Sequence, residues 1–293
     1  MEAAMNSLIA KAGVLIEALP YIRKFYKKTF VIKYGGAAQT DDKLKEAFAS
    51  NIVLFNHIGI NTVIVHGGGP RISKTMTQMG KSPEFIQGHR VTDKETMDIV
   101  EMVLGGLINK EIVSLINRAG GNAVGLTGKD GGLITAAKKL LPSGDFAAPI
   151  DIGQVGEVTE INPAIIHALG SQGFIPVIAP IGVSKDGDTL NINADFVASA
   201  IAGALKAEKL ILLTDTPGIL DKTGRTISTI RSGDYLSYMK DGTITGGMLP
   251  KMSACLEALN AGVGKIHIID GRIPNSLLLE IFTQEGIGTE IVV

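Results

Sequence analysis

The chain has 293 residues, 45% of them hydrophobic, with 36 glycines, no tryptophan and a formal net charge of −1. That length suits one large α/β domain or two lobes sharing a sheet. The near-zero charge and sparse aromatics give no footing for nucleic acid or an anionic membrane, and the single Cys255 excludes a disulfide framework and a cysteine-rich zinc site.

No apolar run is long enough to span a bilayer, and the N-terminus lacks the cation-first order of a signal peptide, so a cytoplasmic protein is expected. Residues 6–28 predict an amphipathic helix, with Leu8, Ile9, Ala12, Leu15, Ile16 and Leu19 recurring at three and four. Pro20 should kink or restart it, because proline removes a backbone donor and crowds the preceding turn. The helix precedes the first core strand. It can pack on its own domain or serve as an arm on another subunit, and the sequence leaves both open.

FVIKYGG at 30–36 reads as a short buried strand that ends in Lys33 and runs into a glycine turn. From Asp42 the apolar residues take helical spacing. The same order returns at TVIVHGGGP, 62–70, where Gly67, Gly68 and Gly69 lead into a second helix. A helix N-terminus presents unpaired N–H groups and a positive dipole end, which attract phosphate. One such turn is ordinary; two in one chain point to an anion site. In GHRVTD, Arg90 falls in a predicted loop before Thr92 and Asp93, the N-cap candidates of a helix carrying Met97, Ile99, Val100, Met102 and Val103. Its planar fork suits a carboxylate, although a lone loop arginine is commonly just solvated.

NAVGLTGKDGGLITAAK reads as strand, turn, strand, and residues 140–159 as a hairpin or flap. Helix, turn and buried strand follow in INPAIIHALGSQGFIPVIAPIGV. NINAD opens an alanine-rich helix with Asp195 in its first turn, and KLILLTD is a buried strand. A helix from about Ser232 comes next. Lys251 falls near the start of another, after Gly246 and Gly247. KIHIID, SLLLEIFTQ and GTEIVV close the chain as strand, helix and strand. This alternation predicts an α/β fold with a mainly parallel, helix-covered sheet, whose ligands sit at the carboxyl ends of the strands.

The phosphate-loop signature, the dinucleotide GxGxxG, the protein-kinase signatures, the GxSxG elbow and metal-ligand histidine spacings are all absent. Backbone-donor loops plus a few cations and carboxylates remain. That set suits phosphoryl transfer, where catalysis is positioning and charge neutralisation. Lys33 and Lys251 could flank the moving group, although each alone would pass as a surface lysine. Asp195 is either an N-terminal dipole partner or the carboxylate that pairs with them.

FVIKYGG, VHGGGPRIS, GHRVTD, GLTGKDGG, LNINAD, LILLTDTPGILD and GGMLPKMSACLEAL resemble, in order, the motif series of the N-acetylglutamate kinases, a branch of the amino-acid kinase family. The resemblance runs from about Thr29 to the C-terminus. It implies an open three-layer αβα sandwich: a helical arm at 1–28, an acceptor-binding and dimerisation lobe at 29–200, and a nucleotide-binding lobe at 201–293. It implies transfer of the ATP γ-phosphoryl group to the side-chain carboxylate of N-acetyl-L-glutamate in arginine synthesis, with Mg²⁺ arriving on ATP and no tightly bound cofactor. Lys33 and Lys251 would stabilise the transition state and Asp195 would orient them. The N–H groups of Gly36 and Gly68 would face the phosphoryl group. Gly68 and Gly69 would contact the acceptor, Arg90 would grip its α-carboxylate and Asn191 would hold its acetamido or carboxylate end. Thr214, Asp215, Gly218 and Ile219, with Gly246, Gly247 and Met248, would line the nucleotide site.

The first loop departs from the usual KYGGNAM, reading KYGGAAQ with Ala37 in place of asparagine; backbone donors do not depend on that side chain. The arm and the C-terminal stretch resemble the arginine-inhibited, hexameric branch, which implies a homo-oligomer, at least a dimer, and arginine as effector. Tyr21, His267, Glu280 and Gly286 are the candidates for that site. Asn275 stands where the branch usually carries histidine. Two rivals stay open: the same fold with another acceptor, such as glutamate, aspartate, carbamate or a nucleoside monophosphate, and a non-catalytic sensor of nucleotide and amino acid.

Overall fold

The computed structural model describes residues 2–142 and 148–293. Helix α1 (Glu2–Phe25) leads into strand β1 (Thr29–Tyr34), a 3-10 turn at Gly36–Gln39 and α2 (Asp42–His57), which Asp41 caps by accepting from Leu44 N. Then come β2 (Asn61–His66), α3 (Gly69–Gln78) and a hairpin of β3 (Phe85–Ile86) and β4 (His89–Arg90). Arg90 is thus part of a short strand pair and not of a loop. Helices α4 (Lys94–Glu101) and α5 (Asn109–Arg118) follow, joined by a π-helical segment, Met102–Ile108. Where the spacing predicts one α-helix, the backbone widens at the pair Gly105 and Gly106; a wider turn there leaves the apolar spacing on either side intact.

Next are β5 (Ala123–Leu126), β6 (Ile134–Leu141), β7 (Ile150–Ile161), α6 (Ala164–Ser171), β8 (Ile175–Ile178), β9 (Ile181–Val183) and β10 (Thr189–Ile192). The expected flap is the antiparallel β6–β7 hairpin. Its residues 143–147 lie outside the described residues. The chain ends with α7 (Ala194–Ala204), β11 (Lys209–Thr214), β12 (Thr229–Arg231), α8 (Tyr235–Lys240), α9 (Met248–Asn260), β13 (Lys265–Asp270), α10 (Ser276–Phe282) and β14 (Thr289–Val292). Helix α1 runs through Pro20 without the expected restart.

Eight strands form one sheet in the order β12-β14-β13-β11-β1-β2-β8-β5, parallel throughout except where β13 meets β14. β1 is central, with Lys33 in register with Leu212 on one side and Val65 on the other. Its side chains alternate between two cores, as a strand of period two requires. Phe30, Ile32 and Tyr34 pack toward α2 and α5, whereas Val31 packs toward α7 and α9. Helices cover both faces of the sheet, giving the three-layer arrangement. A second small sheet closes on itself through β10, β7, β6 and β9 and places Asn191 beside the main sheet's carboxyl edge. Parallel neighbours bring the loops after β1 and β2 side by side, because Tyr34 and His66 end their strands in the same register.

Candidate active site

The carboxyl ends of β1 and β2 open into a cleft of about 620 Å³ whose walls include Lys33, Gly36, Gly68, Arg90, Asn191 and Asp195. Asp195 is the second residue of α7, where Asn193 caps the helix by accepting from its N–H at 2.8 Å, and the positive dipole end favours the carboxylate. α7 packs along α9, which carries Lys251 one turn into the helix. The Lys251 ammonium donates to Asp195 Oδ2 at 2.6 Å, and Lys33 Nζ lies 3.1 Å from Oδ1. That second contact is short enough for charge attraction but out of line for a hydrogen bond, so the buried Oδ1 lacks a bonded donor.

All three side chains are at most 15% exposed. Burial by itself would push the Asp195 carboxyl upward, but Lys33 and Lys251 outweigh it and bring its pKa down to about 2. A cation at a helix N-terminus is unfavourable alone; Asp195 offsets this for Lys251.

The turn after β1 needs its glycines. Gly36 has φ +67°, and a Cβ there would sit 2.3 Å from Asp215 Oδ1. Only a residue without a side chain lets this backbone lie against the end of β11. The Lys33 ammonium folds back beside Gly35, so the cation lies within the curve of the loop.

Arg90 is 8% exposed and sits over the Phe85 ring, 4.7 Å from its centroid. Its Nη2 donates to the Gly69 carbonyl at 3.1 Å and to Ser73 Oγ at 2.8 Å. Desolvation pushes its pKa down from the usual guanidinium value, and among the described residues no carboxylate pairs with it. A buried, carboxylate-free guanidinium in a cleft is arranged to take an anion from outside. Asn191 Nδ2 reaches Thr92 Oγ1 at 3.4 Å, and the segment after Arg90 bonds to the flap through Thr92 N to Ile152 O at 2.9 Å.

The expected nucleotide residues are not walls of this cleft. Thr214 ends β11 and Asp215 follows it beside the first glycine loop, with Thr214 Oγ1 bonded to the Thr216 carbonyl at 2.9 Å. Gly218 and Ile219 fold against Thr289, whose Oγ1 accepts from Ile219 N at 2.8 Å. Gly246, Gly247 and Met248 lead into α9, one turn ahead of Lys251. Among the described residues, no three His, Cys, Asp or Glu side chains are grouped to hold a metal, and no helix is long and apolar enough to cross a membrane.

A second cluster lies at the other end of β11. His267 Nδ1 donates to Glu280 Oε1 at 2.5 Å, and Ile287 N donates to Oε2 at 2.8 Å. A Cβ on Gly286 would fall 3.0 Å from Glu280 Oε2, and Tyr21 meets Phe282 edge-on at 6.3 Å. The four candidates therefore occupy one neighbourhood. Lys209, which no sequence motif marks, joins them: its ammonium donates to His267 Nε2 at 2.6 Å beside the Phe25 ring. Burial pulls its pKa down to about 8 against the opposing pull of Glu290 and Glu280. The signal was a lysine opening the otherwise apolar run KLILLT. Asn275 has φ +59°, a conformation asparagine tolerates, and accepts from Asn51 Nδ2 at 2.9 Å.

The sequence model described as "Amino acid kinase family" matches residues 28–270. An acetylglutamate kinase of Chromobacterium violaceum is 58% identical over 281 residues, covering 96% of this chain and 97% of that one. That of Methylobacillus flagellatus is 59% identical over 284 residues, covering 96% of each. Among solved structures, N-acetylglutamate synthase from Neisseria gonorrhoeae complexed with coenzyme A and N-acetyl-glutamate superposes with a TM-score of 0.83 at 26% identity. The match covers 96% of this chain and 63% of that longer one. Carbamate kinase from Giardia lamblia bound to AMP-PNP shares the fold, with a TM-score of 0.64 at 20% identity over 90% of this chain and 98% of that one. The chain belongs to the amino acid kinase family and, within it, to the acetylglutamate kinases.

Proposed function

We propose that the protein transfers the γ-phosphoryl group of ATP to the side-chain carboxylate of N-acetyl-L-glutamate, in the cytoplasm, on the path to arginine. A carboxylate oxygen attacks the γ-phosphorus while the bond to the bridging oxygen of ADP breaks; no proton has to move. Lys33 and Lys251 approach the migrating group from separate parts of the fold and offset its charge, and Asp195 holds both ammonium groups. The N–H groups of Gly36 and Gly68 add dipoles. Arg90 takes the α-carboxylate, with Gly68, Gly69 and Asn191 completing the acceptor site. Thr214, Asp215, Gly218, Ile219, Gly246, Gly247 and Met248 take the nucleotide, and Mg²⁺ enters on its phosphates, whose oxygens and waters it prefers.

The observation that carries the reading is the pair of buried ammonium groups sharing Asp195, which with Lys33 lines a cleft edged by two glycine loops, Lys251 meeting that cleft through Asp195. The test is acyl-phosphate formation from ATP, trapped with hydroxylamine, with N-acetylglutamate, glutamate, aspartate or no acceptor. Product with N-acetylglutamate alone supports the reading; equal product with glutamate sinks the assignment of the acceptor.

We further infer that the N-terminal arm joins dimers into a hexamer and that arginine binds beside it, at Tyr21, His267, Glu280 and Gly286 together with Lys209. In support, Ile9, Val14, Leu15 and Ile16 are 62–73% exposed along α1, while Phe25 at its end is buried against Phe30. Deleting residues 1–19 spares Phe25. The truncated protein is expected to sediment as an active dimer indifferent to arginine; a truncated protein still strongly inhibited would refute this.

A further inference from the structure

The second glycine loop rests on a side chain outside the phosphoryl-transfer set. His66, the last residue of β2, is fully buried. Its Nδ1 lies 3.0 Å from the Gly67 carbonyl oxygen and its Nε2 lies 3.2 Å from Asn109 Nδ2. The Asn109 amide has one orientation open to it, because Nδ2 donates to the Val177 carbonyl at 2.9 Å and Oδ1 accepts from Lys110 Nζ at 3.0 Å. A donor facing Nε2 makes that nitrogen the acceptor, so Nδ1 carries the proton and donates to Gly67. Burial, reinforced by Lys110, keeps the imidazole neutral by pulling its pKa down to about 4 against the Gly67 bond.

The Gly67 carbonyl and the Gly68 N–H belong to one planar trans peptide and point to opposite sides of the chain. Fixing the carbonyl toward His66 therefore turns the N–H away from it, and Gly68 is a wall of the cleft. The Gly67 oxygen also receives Gln39 Nε2, from the loop after β1, at 3.4 Å, while the same amide donates to the Tyr34 carbonyl at 3.1 Å. One oxygen thus ties the two loops together.

We propose that His66, held by Asn109, is a positioning residue that sets the plane of the Gly67–Gly68 peptide and so aims the Gly68 N–H at the transferring phosphoryl group. This rests on the phosphoryl-transfer reading above. Transfer to a carboxylate moves no proton, so the imidazole acts here through geometry and not as an acid or base.

Two variants separate aim from mere space-filling. His66→Asn places an amide nitrogen near the Nδ1 position and retains the donor to Gly67. His66→Gln carries its amide farther out, toward Asn109, and loses that donor. Both are assayed for kcat, for KM of ATP and N-acetylglutamate, and for thermal unfolding. We expect His66→Gln to lose about 10- to 100-fold in kcat with both KM values within about threefold, and His66→Asn to stay within about threefold in kcat. Nitrogen-15 NMR of the unaltered protein at neutral pH is expected to show His66 protonated at Nδ1. Equal losses in both variants, full turnover in both, or a proton on Nε2 overturns the proposal. Should the unaltered protein phosphorylate no acceptor, the functional reading fails, and the tautomer still decides whether His66 braces the loop.

Discussion

Asp195→Asn tests the centre of the site, because the amide keeps the shape of the side chain and removes its charge. Folding takes this carboxyl from 3.8 to about 2. At about 1.4 kcal/mol per pKa unit, that displacement is worth about 2 kcal/mol of stability at neutral pH. The folded-state value is the lower one, so the contribution is complete above the unfolded value and drains away as pH falls from about 4 toward 2. The variant also leaves two buried ammonium groups facing a neutral amide, and removing one partner of a buried pair costs roughly 3–5 kcal/mol. Urea unfolding of both proteins from about pH 7 down to pH 2.5 should therefore show a gap of about 2–5 kcal/mol at neutral pH that narrows below pH 4. Turnover should drop ~10²–10³-fold, since neither lysine is held in place. A gap that stays constant across the pH range, or no gap, would refute the picture of an ionised carboxylate clamped between two lysines.

Lys251→Ala and Lys33→Ala are each expected to lower kcat by ~10²–10³ with smaller effects on KM, measured by coupled ADP release. A Lys251→Ala enzyme at normal turnover would remove that residue from the mechanism. Arg90→Lys should raise KM for the acceptor about tenfold or more while leaving KM for ATP in place, because an ammonium cannot reproduce the planar two-pronged grip. Gly35→Ala puts a methyl 3.0 Å from the Lys33 ammonium, and its kcat should fall while the melting temperature barely moves, since the crowded atom is the far end of a flexible side chain. An unchanged kcat in that variant would mean the ammonium works from another position.

What could be read beforehand follows how local the causes are. Lys33 and Asp195 sit at a strand end and a helix start that hydrophobic periodicity and capping residues mark on their own. The ordered motifs tied Lys251 to them. Arg90 reads as a loop residue in the sequence because a strand pair two residues long has no period to detect. The widened turn at Met102–Ile108 was missed because apolar residues continue through it at spacings an α-helix also produces. His66 was visible only as part of a glycine motif, since its meaning depends on Asn109, 43 residues later and on another element. Lys209 looked like the flank of an apolar strand, and only packing against Phe25 and His267 reveals a buried ammonium.

The π segment has a consequence for how this protein can change over time. It absorbs one residue more than an α-helix needs over the same turns, so the stretches on either side keep the phase of a regular helix. Losing a single residue between Met102 and Ile108 would let the coil rewind to α geometry with Asn109 still facing the imidazole. The change would fall on the wall itself, where Leu104 and Ile108 line the cleft beside Gly68. Lineages that lose a residue here should therefore keep the brace behind the second glycine loop and alter only the shape of the pocket in front of it.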